Sequence, residues 1–437
     1  MQTRFLIAAA AAALLAGAGP GLAATVTIAT VNNGDMIIMQ KLSSAFEQQH
    51  PDIKLEWVVL EENVLRQRAT TDIATHGGQF DVMTIGTYEV PIWAAQSWLE
   101  PMDSLPADYD VQDVLKPVRD GLSYKDKLYA LPFYAESSML FYRKDLFDEA
   151  GIKVPDQPKW SEAEEWAKKL NDPSKGVYGI CLRGKPGWGE NMAFLSTLVN
   201  TFGGQWFDMN WKPQLDTKPW KEAVTFYVNL LKSYGPPGAS SNGFNENLAL
   251  FSTGKCAMWV DATVAAGLLF NPQQSQVADK LGFAQAPVDG WPKGANWLWS
   301  WALAVPTSSD AKDAAKTFVE WATSKDYIKL VGEKQGWVAA PPGTRKSTYD
   351  NPDYQKAAPF AAFVEKAIET ADPINTTANP KPYSGVQYVG IPEFQAIGAQ
   401  VGQMIAAALT GQMSVDQALA AAQRSTERTM KQAGYPK

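Results

Sequence analysis

The stretch YALPFYAESSMLFYRKDLF, residues 129–147, organises the chain. It opens on an apolar run that ends at Leu131. Pro132 holds the residue before it extended and removes a backbone donor. An aromatic and polar patch follows: Phe133, Tyr134, Glu136, Ser137 and Ser138. Residues 139–142 regain strand character, and RKDLF reads as the start of a helix. Strand, bend, polar cluster and strand in succession describe a chain that leaves one sheet and enters another. The bend then lies between two bodies, with Tyr134 and Glu136 facing the gap.

Upstream, ATVTIATV (24–31) alternates and is rich in β-branched residues, a first strand. NNGD (32–35) is turn chemistry. The next run places Ile37, Leu42, Ala45 and Phe46 on one helical face and stops at Pro51. A second strand (53–61), a second helix closed by Gly77 and Gly78, and a third strand (80–88) complete a β-α-β-α-β series. That series predicts a parallel sheet covered by helices. Ligands of such sheets bind beyond the carboxyl ends of the strands. Here those ends are NNGD, LEEN and GTYE.

Downstream, SEAEEWAKKL offers a capping box in Ser161 and Glu164, and GVYGICLRG reads as a strand. GKPGWGEN (184–191) is a glycine-rich loop that carries Trp188. In GKCAMWVDATVAAG, Asp261 interrupts an apolar strand-to-helix junction. GANWLWSWALAVP and WVAAPPGTR read as two further crossings between bodies, and Ser414 with Gln417 as a second capping box near the end. The expected division is 24–132 with 305–340 in one body and 136–300 with 344–437 in the other. The crossings fall near 132–136, 300–305 and 340–344.

At 437 residues the chain exceeds a single core. Residues 1–23 read as a secretory signal: Arg4, an apolar run, then GPGLAA, with cleavage expected near Ala23 or Ala24. No later stretch reaches the ~18 apolar residues of a membrane span. An exported protein of the periplasm is expected. A net charge of −7 with no basic stripe argues against nucleic acid as a partner. Cys181 and Cys256 lie in apolar sequence and read as two buried thiols, although export permits a disulfide.

Signatures of hydrolases and nucleotide enzymes are missing: there is no HExxH, GxSxG or GxxxxGK[ST]. What remains is a polar and aromatic set at strand ends. A sugar or polyol needs a partner for each desolvated hydroxyl and a flat wall for its C–H surface, and charged side chains and indoles supply these. The candidates are Asn33, Asp35, Glu62, Tyr88, Tyr134, Glu136, Trp188, Asp261, Trp297, Trp299 and Arg345. Several have a second reading. Asn33 and Asp35 also suit a turn or cap, Glu62 a helix start, Asp261 an N-cap, and Arg345 a surface charge. Trp297 and Trp299 share a face, and one of them fits the core.

The order of these pieces resembles the solute-binding proteins of bacterial ABC sugar importers, the family of the maltose-binding protein. The matching runs are FDVMTIGTYEVPIWAAQSWLEPMD, YALPFYAESSMLFYRKDLF, GKCAMWVDATVAA, WALAVPTSSDAKDAAKTFVEWA and GQMSVDQALAAAQ. The resemblance implies an α/β fold of two lobes joined by three crossings, the type II periplasmic-binding-protein fold, with sugar in the cleft between them. EENVLRQRATTDIAT, GGQFDV and PFYAES look most like sorbitol- and mannitol-binding members. Where maltose binders carry a cleft lysine this chain has Met36, and where they carry an acid and base it has Thr87 and Tyr88. Both departures suit a smaller ligand.

The function expected is therefore capture of a sugar alcohol for a membrane permease, by a monomer, with no metal or organic cofactor. In that reading Glu136 and Asp261 accept hydroxyl hydrogens, Arg345 and Asn33 donate, and Trp188, Trp297 and Tyr88 form walls. A mono- or oligosaccharide is the alternative ligand. A secreted glycoside-active enzyme using Glu136 and Asp261 is the more distant reading.

Overall fold

The β-α-β-α-β series forms as read, because its apolar residues recur at strand and helix periods. The computed structural model describes residues 23–436; apart from Ala23, the expected signal sequence lies outside the described residues. Strands β1 (Ala24–Val31), β2 (Ile53–Leu60) and β3 (Val82–Gly86) run parallel, connected by α1 (Gly34–Gln49) and α2 (Glu62–Ala74). Further along come β4 (Leu131–Glu136), β5 (Ser138–Arg143), β6 (Met258–Ala262), β7 (Leu281–Gln285) and β8 (Trp299–Ala304). The first body holds a five-stranded sheet in the order β2-β1-β3-β8-β4, with β8 antiparallel to both neighbours. The second holds a three-stranded antiparallel sheet, β6-β5-β7.

The crossing at 129–147 is tighter than the sequence suggests. Residues 133–136 belong to β4, and Ser137 alone separates the two sheets. Trp301 pairs with Tyr134 and Ala302 with Pro132, which leaves Phe133 as a bulge. Pro132 has no N–H for the ladder, and a bulge is where a strand tolerates that. Ser137 is anchored in turn, its N–H donating to Thr263 Oγ1 at 3.0 Å.

The other two crossings differ from the expected positions. Trp299–Ala304 already pairs with β3 and β4, so the chain has returned to the first body before residue 299 rather than within 300–305. Residues 344–369 also stay mainly with the first body, while Phe360 and Phe363 meet Phe270 and Phe283 of the second. Leu115 N–H donates to Thr344 O at 2.8 Å, and helix Ala361–Glu369 packs on β4 and on helix Lys116–Gly121. The final passage therefore runs through 370–393. It delivers helices Phe394–Leu409 and Val415–Gln432 onto helices Asn191–Thr201 and Lys218–Tyr234 of the second body. The Pro-Pro-Gly at 341–343 bends the chain without carrying it across.

Local readings divide in the same way. Ser414 and Gln417 do form a capping box, at 3.2 and 2.9 Å. Helix Trp160–Leu170 instead begins two residues early, and Glu162 Oε2 accepts from the Lys159 N–H at 2.7 Å. Cys181 and Cys256 are not two thiols but a disulfide, with Cα atoms 5.9 Å apart. It ties the run before Arg183 to the segment entering β6. No helix among the described residues is long and apolar enough to cross a membrane.

Candidate functional site

A cavity of about 160 Å³ lies between the two bodies, at the carboxyl ends of β1 and β2. The bodies close on it through polar contacts. Lys185 Nζ meets Glu61 Oε1 at 2.6 Å, Asn245 Nδ2 donates to Asn32 O at 2.8 Å, and Asn63 Nδ2 donates to Pro186 O at 3.3 Å. The cleft is shut, with its lining largely withdrawn from water.

From the first body, Asn33 does two jobs at once. Its Oδ1 caps α1 by accepting from the Met36 N–H at 3.0 Å, and its Nδ2 donates to Tyr134 Oη at 3.0 Å. Tyr134 and Glu136 reach the cavity from β4. Glu136 is only 7% exposed, yet its carboxyl has no hydrogen-bond partner among the described residues. Burial raises its pKa well above the carboxylate range. Arg183 opposes that rise, and the charges of Asp261, Glu62 and Asp35 reinforce it. Glu62 lines the cavity and fixes Arg66, accepting from Nε at 3.0 Å and Nη2 at 2.9 Å.

Trp188, Trp297 and Trp299 all face the cavity, and so does Trp301. Trp297 and Trp299 are also packed into the core, so facing the cavity and filling the core are not alternatives for them. Gly86 makes room for Trp299, since a Cβ there would stand 2.1 Å from the indole Cζ2. The Arg66 guanidinium sits among these rings, 3.9 Å from the Trp188 centroid and 4.7 Å from that of Trp301. Its far side reaches Glu89 at 2.6 Å. The indole N–H groups of Trp188 and Trp297 and the amide oxygen of Gln387 are buried without a partner, and all three residues line the cavity.

Four candidates lie off the cavity wall. Asp261 is fully buried and its carboxylate is occupied: Arg183 donates Nε at 2.9 Å and Nη2 at 2.6 Å, Trp259 Nε1 donates at 3.0 Å and the Ala262 N–H at 2.7 Å. Its partner Arg183 lines the cavity in its place. Burial works against the Arg183 charge, but Asp261 outweighs it and raises the pKa. Tyr88 stands behind Trp188, 4.8 Å between centroids, and donates across the gap to Ile391 O at 2.9 Å. Asp35 does not line the cavity, and burial pushes its carboxyl up to about 7. Arg345 is far from the gap. It is buried in the first body, over the Tyr109 ring at 4.5 Å, donating to Thr323 O and Asp110 O. It belongs to the packing around the Pro-Pro-Gly bend.

Comparison with known proteins places this architecture. The model of the bacterial extracellular solute-binding protein family matches residues 32–329. The chain belongs to that family. Among similar proteins, the mannitol-binding protein of Pseudomonas aeruginosa is 63% identical over 415 residues, covering 95% of each chain. A solved ABC-transporter solute-binding protein from Agrobacterium vitis with bound D-mannitol is 63% identical, with a TM-score of 0.94, and covers 95% of this chain and 100% of its own. A second, from Agrobacterium radiobacter in complex with ribitol, is 28% identical at a TM-score of 0.82, covering 93% and 99%.

In this solute-binding protein the sequence reading passed over Arg66, Arg183, Lys185, Glu190 and Gln387, all on the cavity wall. Lys185 bridges to Glu61 and lies 3.6 Å from Glu190. Burial pushes Glu190 up to about 8, Glu62 adding to the rise and Arg183 and Lys185 opposing it. Arg183 had a signal, a charge inside the apolar run GICLRG. Arg66, Glu190 and Gln387 had none, because their neighbours come from distant segments.

Proposed function

We propose that this protein is the substrate-binding component of an ABC importer and captures a hexitol of the mannitol or sorbitol type. The observation that carries the reading is the match between the cavity and such a ligand. The enclosed space is about 160 Å³, the scale of one small polyol rather than of an oligosaccharide. A hexitol has twelve non-hydrogen atoms, and a disaccharide nearly twice as many. The Glu136 carboxyl on the cavity wall, the partnerless indole N–H groups of Trp188 and Trp297 and the partnerless Gln387 oxygen offer its hydroxyls both acceptors and donors. The indole faces supply the wall for its C–H surface. The mannitol- and ribitol-bound relatives support the same ligand class.

Closure is the working step. The ligand touches Glu136 and Asn33 on one body and Arg183 and Trp188 on the other, so it stabilises the shut form over the open one. A permease then reads the shut form. The protein acts as a periplasmic monomer after cleavage near Ala23 or Ala24, without metal or cofactor and without nucleic acid. Hydrolysis by Glu136 and Asp261 is disfavoured, since every hydrogen-bonding face of Asp261 is committed to Arg183, Trp259 and Ala262.

The test is a thermal-shift panel on the mature protein with mannitol, sorbitol, arabitol, glucose, maltose and trehalose. A ligand at ~1,000 times its Kd adds about 4 kcal/mol to native stability and raises Tm by several degrees. A shift with hexitols and none with disaccharides supports the reading. A shift with maltose or trehalose alone overturns it.

A further inference from the structure

The cavity holds more negative than positive charge, and the surplus has an address. Each of its three cations already has a carboxylate. Arg183 is held by Asp261, Arg66 by Glu62 and Glu89, and Lys185 by Glu61 with Glu190 close by. Glu246 accepts from the Gly243 N–H at 2.8 Å. Glu136 is the acid left over, lining the cavity with no hydrogen-bond partner among the described residues.

The groups that face Glu136 supply only a counter-charge shared with another acid. On its own body these are Tyr134, whose hydroxyl is engaged by Asn33, and the carboxylates Glu62 and Asp35. Across the gap it meets Arg183, which is already neutralised, and Asp261 behind it. Burial pushes the Glu136 carboxyl up, Arg183 opposes the rise, and the surrounding carboxylates add to it.

We propose that the cleft also binds amino-alditols, hexitols with an amine in place of one hydroxyl, and seats the ammonium against Glu136. The proposal rests on the polyol reading above and adds a cationic ligand class to it. The hydroxyls keep the contacts they have in a hexitol, and the amine replaces one hydroxyl without added bulk. The ammonium favours the charged carboxylate, so whatever proton Glu136 carries leaves to solvent as the amine binds and one ion pair stays inside the cavity. A hydrogen bond between two charged groups is about twice as strong as a neutral one, which makes the gain about ten-fold in Kd.

The experiment is isothermal titration of the unliganded mature protein with D-mannitol, 1-amino-1-deoxy-D-mannitol and 2-amino-2-deoxy-D-mannitol at pH 7.5. Each is run in two buffers of different ionisation heat, on wild type and on Glu136→Gln. The expected result is that one amine binds about ten-fold tighter than mannitol and releases more protons than mannitol does. Mannitol should release almost none, and Glu136→Gln should bring the amine-to-mannitol ratio near one. The buffer comparison on wild type stands even where the variant does not fold. Mannitol binding with both amines weaker, or a ratio unchanged in Glu136→Gln, overturns this proposal alone. Failure of mannitol itself to bind overturns the polyol reading beneath it.

Discussion

Asp261→Asn separates a residue that touches the ligand from one that holds another residue in place. The carboxylate is fully buried and accepts from Arg183, Trp259 Nε1 and the Ala262 N–H, all within 3.1 Å. An amide of the same shape loses the charge and turns an N–H group toward the guanidinium. Breaking one partner of a buried ion pair costs about 3–5 kcal/mol, because the other charge stays buried and uncompensated. At ~2.1 cal/mol/K of unfolding entropy per residue, a cooperative unit of about 400 residues loses about 1 °C of Tm per kcal/mol. The expected fall is about 4–6 °C, read by calorimetry without ligand. Hexitol affinity should drop as well, since Arg183 loses its support. The double variant Asp261→Asn/Arg183→Met removes both charges and should regain most of the stability while binding stays weak. A single variant within 1 °C of wild type, or a double variant no more stable than the single, refutes the reasoning.

Three further outcomes follow from the same geometry. Trp188→Ala removes a ring that faces the cavity and covers Arg66 at 3.9 Å, so titration should show a loss of about 2 kcal/mol or more in hexitol binding, at least ~30-fold in Kd; a change under about three-fold contradicts the wall. Arg345→Ala strips a buried guanidinium from Asp113 and the Thr323 carbonyl and should lower Tm by several degrees, yet leave hexitol Kd within about three-fold; weaker binding at unchanged Tm would return Arg345 to the cleft. Asp35 sits near pH 7 in the folded protein, above its unfolded value of about 3.9, so the native state binds more protons across that window. Stability should therefore fall as pH rises from about 4 to about 7, and Asp35→Asn should flatten that slope in Tm measured between pH 5 and 8; identical slopes would refute it.

Much of the first body was legible because its signals are local. Alternation in 24–31, helical spacing after NNGD and the paired glycines after α2 each lie within one turn or strand. The break at Pro132 marked the first crossing for the same reason. The third crossing was misplaced because Pro-Pro-Gly at 341–343 signals a bend and says nothing of which body the chain joins next. Packing of helix Ala361–Glu369 on β4 decides that.

The site divides along the same line. Residue chemistry beside a strand end was enough to select Asn33, Glu62, Tyr134, Glu136, Trp188, Trp297 and Trp299, and all of them line the cavity. Asp261 breaks an apolar junction and Arg345 follows the Pro-Pro-Gly bend, and both read as cleft residues, yet one is fixed behind Arg183 and the other beneath helix-end carbonyls. Arg183 and Asp261 are 78 residues apart, and Arg66 and Trp188 come from different bodies. The sequence by itself determined most of the strands and helices, though not the strand read in GVYGICLRG, which makes only isolated bridges, and it determined the first crossing and the kind of ligand the strand ends suit. Those rest on periodicity and side-chain chemistry, which neighbours in the chain can express. Only the tertiary structure decided which charges pair, which oxygens stay free and where the two bodies meet. Pairing and desolvation depend on distances across space, and a linear pattern does not carry them.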